Sequence, residues 1–99
     1  MTVKVQSIHF DADVKLLDFI ETKVGKLGQF HDNIINGEVF LRLDKAENHE
    51  NKVAEIKLAI PGKELFAKRQ CKSFEEATDL AVEALRRQIK KYKEKVRGL

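Results

Sequence analysis

The chain holds a single cysteine, Cys71, and a single proline, Pro61, among its 99 residues. One thiol forms no internal disulfide, so the fold must hold without a covalent staple. One proline and five glycines leave neither a disordered nor a fibrous composition. No apolar run approaches the roughly 20 residues of a membrane-spanning helix, and no basic-then-apolar leader with a cleavage site opens the sequence. A soluble, cytoplasmic protein without a membrane partner is expected. Chemistry-bearing patterns are missing too. His9, His31 and His49 stand in no metal-ligand spacing with one another or with Cys71. The acids form no paired-carboxylate signature, and no glycine-rich phosphate loop occurs. These gaps argue against an enzyme, a metal, a cofactor and a small-molecule substrate.

What is present is enough apolar sequence for one domain spanning residues 1–99, with 42% hydrophobic and 35% charged residues and a single modest core. No internal repeat or low-complexity segment divides it. The net charge of +3 conceals an uneven distribution. Arg86 to Arg97, reading RRQIKKYKEKVR, carries seven bases and one acid (+6), against twelve bases and fifteen acids elsewhere (−3). Such asymmetry points toward nucleic acid or another anionic surface.

Hydrophobic periodicity orders the elements. Val3 to Gln6 alternate as a strand that ends or bulges near Ser7. Val14, Leu17, Ile20, Val24 and Leu27 then follow helical spacing, with Asp11 or Asp13 as cap and Gly28 as the expected stop. Gly25 inside that helix costs about 1 kcal/mol relative to alanine. After a polar turn at His31, Asp32 and Asn33, a second strand is expected to face Val39, Leu41 and Leu43 inward. Lys45 to Asn51 read as a solvated loop, and Ala54, Ile56, Leu58 and Ile60 as the inner face of a third strand. Pro61 and Gly62 suit a chain reversal into a fourth strand over Leu65 to Gln70. Ser73 with Glu76 matches a capping box for a last helix with the stripe Phe74, Ala77, Ala81, Leu85, Gln88 or Ile89, Tyr92 and Val96. From Phe74 to Arg97 that helix would be roughly 36 Å long, enough to project beyond a four-stranded sheet. The expected fold is α+β, ordered β-α-β-β-β-α, with two helices packed on one face of the sheet and the other face open.

On the last helix Arg86, Lys90, Lys93 and Arg97 form one stripe and Arg87, Lys91 and Lys95 another, on either side of the apolar seam. Two readings stand. Bases late in a helix that has Glu75, Glu76, Asp79 and Glu83 early complement its macrodipole, which explains part of the pattern. One or two cations would serve for that, and the remaining like charges repel at spacings of three and four, so a polyanion is the second reading. Lys23 and Lys26, with Lys68, Arg69 and Lys72, extend the patch if the two helices lie side by side. Tyr92, in the seam, is expected at the core or its rim. Cys71 is either a thiolate favoured by Lys72 and Arg69 or a small buried thiol at a strand end.

The element order, with a final helix reading Leu85-x-Arg87-Gln88-Ile89-x-Lys91-x-Lys93-x-Lys95, closely resembles the bacterial ribosome hibernation promoting factor and ribosome-associated inhibitor family over essentially the whole chain. Lys23 and Lys26 match basic positions on that family's first helix, and Ala77 and Asp79 match its usual start to the last. Cys71, Ser73 and Glu75 stand where the family commonly has Gly, Asp and an aromatic residue. The resemblance implies a double-stranded-RNA-binding-domain-like fold. It implies a non-enzymatic ribosome-binding domain in the mRNA and tRNA channel of the small ribosomal subunit, halting translation in starved or stationary cells, and leaves involvement in ribosome pairing open. Since the chain ends at Leu99, it looks like the short, hibernation-promoting type. The rRNA contacts so implied are Lys23, Lys26, Arg86, Arg87, Lys90, Lys91, Lys93 and Lys95. A general structured-RNA-binding module and a protein-interaction module using the basic helix remain alternatives.

Overall fold

The structure is a computed structural model and describes residues 1–96. Its elements are β1 (Thr2–Ser7), α1 (Val14–Phe30), β2 (Asn36–Leu43), β3 (Lys52–Ile60), β4 (Lys63–Cys71) and α2 (Phe74–Val96). The strands lie in the order β1-β2-β3-β4. β1 pairs with β2 in parallel, because α1 carries the chain back between them. The other two pairings are antiparallel. The result is the expected β-α-β-β-β-α arrangement, with a mixed sheet.

Alternation places Val39, Leu41, Ile56 and Leu58 on the inner face, all fully buried. They pack in one cluster with Ile20, Val24 and Leu27 of α1 and Ala77, Ala81, Leu85 and Ile89 of α2. Both helices therefore cover the same side. The buried arc of α2 is wider than its expected stripe, taking in Thr78, Val82 and Ala84, because the helix touches both the sheet and α1. Tyr92 is partly buried at the rim of this cluster. The outer face is mostly polar: Glu55 pairs with Arg42 and lies 3.9 Å from Lys68.

Local chemistry sets the boundaries. Asp13, rather than Asp11, caps α1 by accepting from the Leu16 N–H at 2.8 Å. Ser73 Oγ accepts from the Glu76 N–H at 3.1 Å and opens α2. Gly62, at φ +75, supplies the left-handed residue of the two-residue Pro61-Gly62 reversal between Ile60 and Lys63. Gly37 has a different use. A Cβ there would stand 3.2 Å from Leu58 and 3.4 Å from Val24, so its bare backbone is what lets α1 settle on β2.

The expectations for Gly28, Val14 and Leu43 are corrected, and of the two readings of Cys71 the buried thiol holds. Gly28 does not stop α1, which runs on to Phe30 and closes with the His31 N–H donating to the Leu27 carbonyl at 3.1 Å. Its missing side chain instead admits Met1, whose Cγ would lie 3.3 Å from a Cβ. Val14 and Leu43 are exposed, not buried, since each sits at the end of its element, away from the opposing layer. The Cys71 thiol is buried and its pKa is raised. Burial is the largest cause, then Glu76 and Glu50, and Arg69 opposes them only weakly. Arg97, the expected helix end, lies outside the described residues.

Two glycine substitutions have opposite expected signs. A Cβ at Gly25 meets nothing within 4 Å, so Gly25→Ala should stabilise the domain by up to about 1 kcal/mol, raising Tm by roughly 4–8 °C. Gly37→Ala should lower Tm. Thermal unfolding followed by circular dichroism measures both.

Candidate nucleic-acid interface

The basic surface is built where α1 and α2 lie side by side. Because Leu85 and Ile89 are locked into the core, the residues between them along the chain must turn outward. Arg86, Arg87 and Lys90 are all exposed. Arg86, Arg87, Lys90 and Lys93 line a concavity of about 640 Å³, closed on its α1 side by Phe30 and His31. Among the described residues Glu94 is the one acid on its wall. A smaller hollow of about 300 Å³ further along the helix pair is lined by Lys23, Lys26 and Arg86, together with Asp79 and Glu83. Arg86 belongs to both hollows and joins them into one surface.

Six of the eight candidate residues thus share this surface, but not on equal terms. Lys23 forms an ion pair with Asp79 at 3.1 Å and its ammonium lies 5.8 Å from the Phe19 ring centroid. It is half-occupied by its own protein. Lys91 and Lys95 lie on the other flank of α2, around a hollow shared with Tyr92 of the same helix and Lys63 at the start of β4. Arg87 therefore sides with the stripe of Arg86, Lys90 and Lys93, and the expected second stripe is split. Lys68 turns toward Glu55 on the outer sheet face, and neither Lys68, Arg69 nor Lys72 lines the two interhelical hollows.

Phe30 and His31 were not among the sequence candidates. Phe30 falls three residues after Leu27, where helical spacing predicts burial, yet it is 60% exposed and the Arg86 guanidinium lies 5.3 Å from its ring centroid. An aromatic residue in the last turn of a helix, immediately before a polar turn, is the signal that marks it. His31 is held below the ordinary histidine pKa, first by burial and then by the charges of Lys93 and Arg86, with Asp32 opposing. Among the described residues its Nδ1 has no hydrogen-bond partner. Among the described residues, no three His, Cys, Asp or Glu side chains cluster closely enough to hold a metal, and no helix is long and apolar enough to cross a membrane.

Residues 3–97 match the family described as Sigma 54 modulation protein / S30EA ribosomal protein. The chain belongs to that family. Among its relatives is a ribosome hibernation promoting factor of Pseudomonas putida, 29% identical over 99 residues that make up all of this chain and 93% of the relative. A ribosome hibernation promotion factor of Bacillus subtilis is 29% identical over 97% of this chain, which there accounts for 50% of the longer relative. The fold is also that of a ribosomal subunit interface protein from Coxiella burnetii, with a TM-score of 0.83, 22% identity and coverage of 94% and 98% of the two chains. The N-terminal domain of Thermus thermophilus Protein Y superposes with a TM-score of 0.78, at 25% identity over 93% and 99%. This family of hibernation factors is non-enzymatic.

The His31 environment has a measurable consequence. As pH falls, the unfolded chain takes up the His31 proton near its ordinary value of about 6.5, while the folded chain resists it. The stability associated with a neutral His31 is therefore complete above that pH and is lost as pH falls toward the lower folded value. Urea denaturation between pH 7.5 and 5 should show a shallower loss of stability for His31→Asn than for the parent chain.

Proposed function

We propose that residues 1–99 form a single ribosome-binding domain that occupies the mRNA and tRNA channel of the small ribosomal subunit and blocks translation sterically. Membership of the hibernation factor family over residues 3–97 supports the ribosome as partner. The observation that carries the mode of binding is the continuous cationic surface along α1 and α2, from Lys23 and Lys26 through Arg86 to Arg87, Lys90 and Lys93. Its complement is the phosphate backbone of rRNA. Phosphate contacts hold a protein in place without reading sequence, so recognition rests on the shape of the RNA. No bond is made or broken in this mechanism. A domain filling the channel silences the ribosome in starved or stationary cells, and a sucrose-gradient profile of stationary-phase ribosomes with and without the protein reads both association and ribosome pairing.

Charge reversal separates the two flanks of α2. The triple change Arg87→Glu, Lys90→Glu and Lys93→Glu should abolish binding to isolated small subunits while the circular dichroism spectrum stays unchanged, because all three lie outside the core. Lys91→Glu with Lys95→Glu should weaken binding less. For the parent chain, log K should fall linearly with log salt concentration, since each neutralised phosphate releases counterion. Equal affinity for the large subunit, or for free duplex RNA in competition, would overturn the proposal.

A further inference from the structure

The concavity at the end of α1 has more in it than a phosphate track requires. Phosphates ask only for cations, and a duplex keeps its bases stacked inside, offering proteins little besides backbone and 2′-hydroxyl groups. Yet this hollow is walled by an aromatic ring that the core does not use: Phe30 is 60% exposed and stands outside the buried cluster. Leaving such a ring in water forgoes the gain of burying it. The Arg86 guanidinium, 5.3 Å from the ring centroid, lies over it at cation–π distance. Around this pair stand Arg87, Lys90 and Lys93, with His31 as a further planar group on the wall. Basic side chains contribute their methylene stems to such a wall and keep their charges at its rim. An apolar, ring-bearing floor inside a cationic rim is the combination that suits an unpaired nucleotide, whose base has a π face and whose flanking phosphates are anionic.

We propose that this concavity is a nucleotide site, taking one unpaired base of structured RNA stacked on Phe30, with the neighbouring phosphates held by Arg87, Lys90 and Lys93. The base extends the Arg86–Phe30 stack. This assignment rests on the RNA-binding reading above and sharpens it, because it names a single-stranded or bulged nucleotide rather than a helix as what the C-terminal half of α2 meets. Stacking of this kind tolerates any base, so it adds affinity and register without sequence selectivity.

The test uses Phe30→Leu, which keeps an apolar side chain but removes the planar ring, and Phe30→Tyr, which keeps the ring. Phe30 is exposed enough that neither change should move the Tm, and its constancy certifies the fold. On isolated small subunits at fixed salt, Phe30→Leu should weaken binding by about 5- to 100-fold, with the slope of log K against log salt unchanged because no charge is lost. Phe30→Tyr should bind like the parent chain. A short single-stranded RNA carrying 2-aminopurine supplies the direct readout: its fluorescence should be quenched by stacking in the parent chain and in Phe30→Tyr, and not in Phe30→Leu. If the parent chain binds small subunits and Phe30→Leu binds them equally well, the nucleotide site is wrong while the channel reading survives. If the parent chain quenches the probe in a Phe30-dependent way yet ignores small subunits, the site stands and the ribosomal reading falls. Quenching that is equal in all three proteins overturns the assignment to Phe30.

Discussion

The seating of α2 on the inner face of the sheet is the constraint on which everything outside it depends. Ala77, Ala81, Leu85 and Ile89 are buried against β3 and β4, and together these side chains set the helix's rotation about its axis. A rotation by one residue position would carry Arg86 or Lys90 into the apolar layer, where an unpaired charge is far costlier than the packing it would displace. The cationic surface is thus aimed by the core. Small residues do much of this work, because Ala77, Ala81 and Ala84 let α2 approach closely enough to touch both the sheet and α1. Gly37 does the same for α1 over β2. Close approach of the two helices is what turns two separate basic segments into one surface.

Periodicity carried most of the fold. Alternation identified β2 and β3, the Pro61-Gly62 pair located the hairpin, and Ser73 marked the start of α2, since each is a local signal with a local cause. The misreadings come from tertiary context. Gly28 reads as a stop because glycine commonly ends helices in a left-handed residue, but its absent side chain is used for contact with Met1. Val14 and Leu43 obey the right period and still lie in water, because a period says which way a side chain points and not whether anything stands there. Lys72 and Arg69 beside Cys71 would favour a thiolate, yet the buried-thiol reading is the one that holds. Burial outweighs them, and the acids that reach the sulfur, Glu76 and Glu50, are respectively five and twenty-one positions away along the chain.

The site was legible in part for the same reason. That the charge surplus belongs to an ordered helix follows from the apolar seam running through it. How the surplus divides does not, because a helix has no fixed flank until its neighbours are known. α1 takes one side, drawing Arg87 into line with Arg86, Lys90 and Lys93, and the start of β4 takes the other, with Lys63 joining Lys91 and Lys95. Phe30 is not legible as a site residue because the expected stop at Gly28 leaves it outside the helix, which in fact runs on to it. Only the end of the core just before it, at Leu27, leaves the ring free to serve a surface.

The helix macrodipole accounts for only part of the charge on α2. Glu75 and Glu76 occupy the first turn of α2 and Lys93 and Lys95 the last, so the dipole is matched at both ends. It is already satisfied without Arg86, Arg87, Lys90 and Lys91, which lie more than a turn from the terminus, where the effect has decayed. Those four, with Lys93 and Lys95, set like charges three and four residues apart, each pair unfavourable by a few tenths of a kcal/mol. The single intervening acid, Glu94, forms no ion pair among the described residues within 4 Å. The repulsion is therefore a standing cost that neither folding nor the dipole explains. A polyanion lying along the α1–α2 surface would relieve it at Arg86, Arg87, Lys90 and Lys93, and binding would then recover a free energy that the isolated domain cannot.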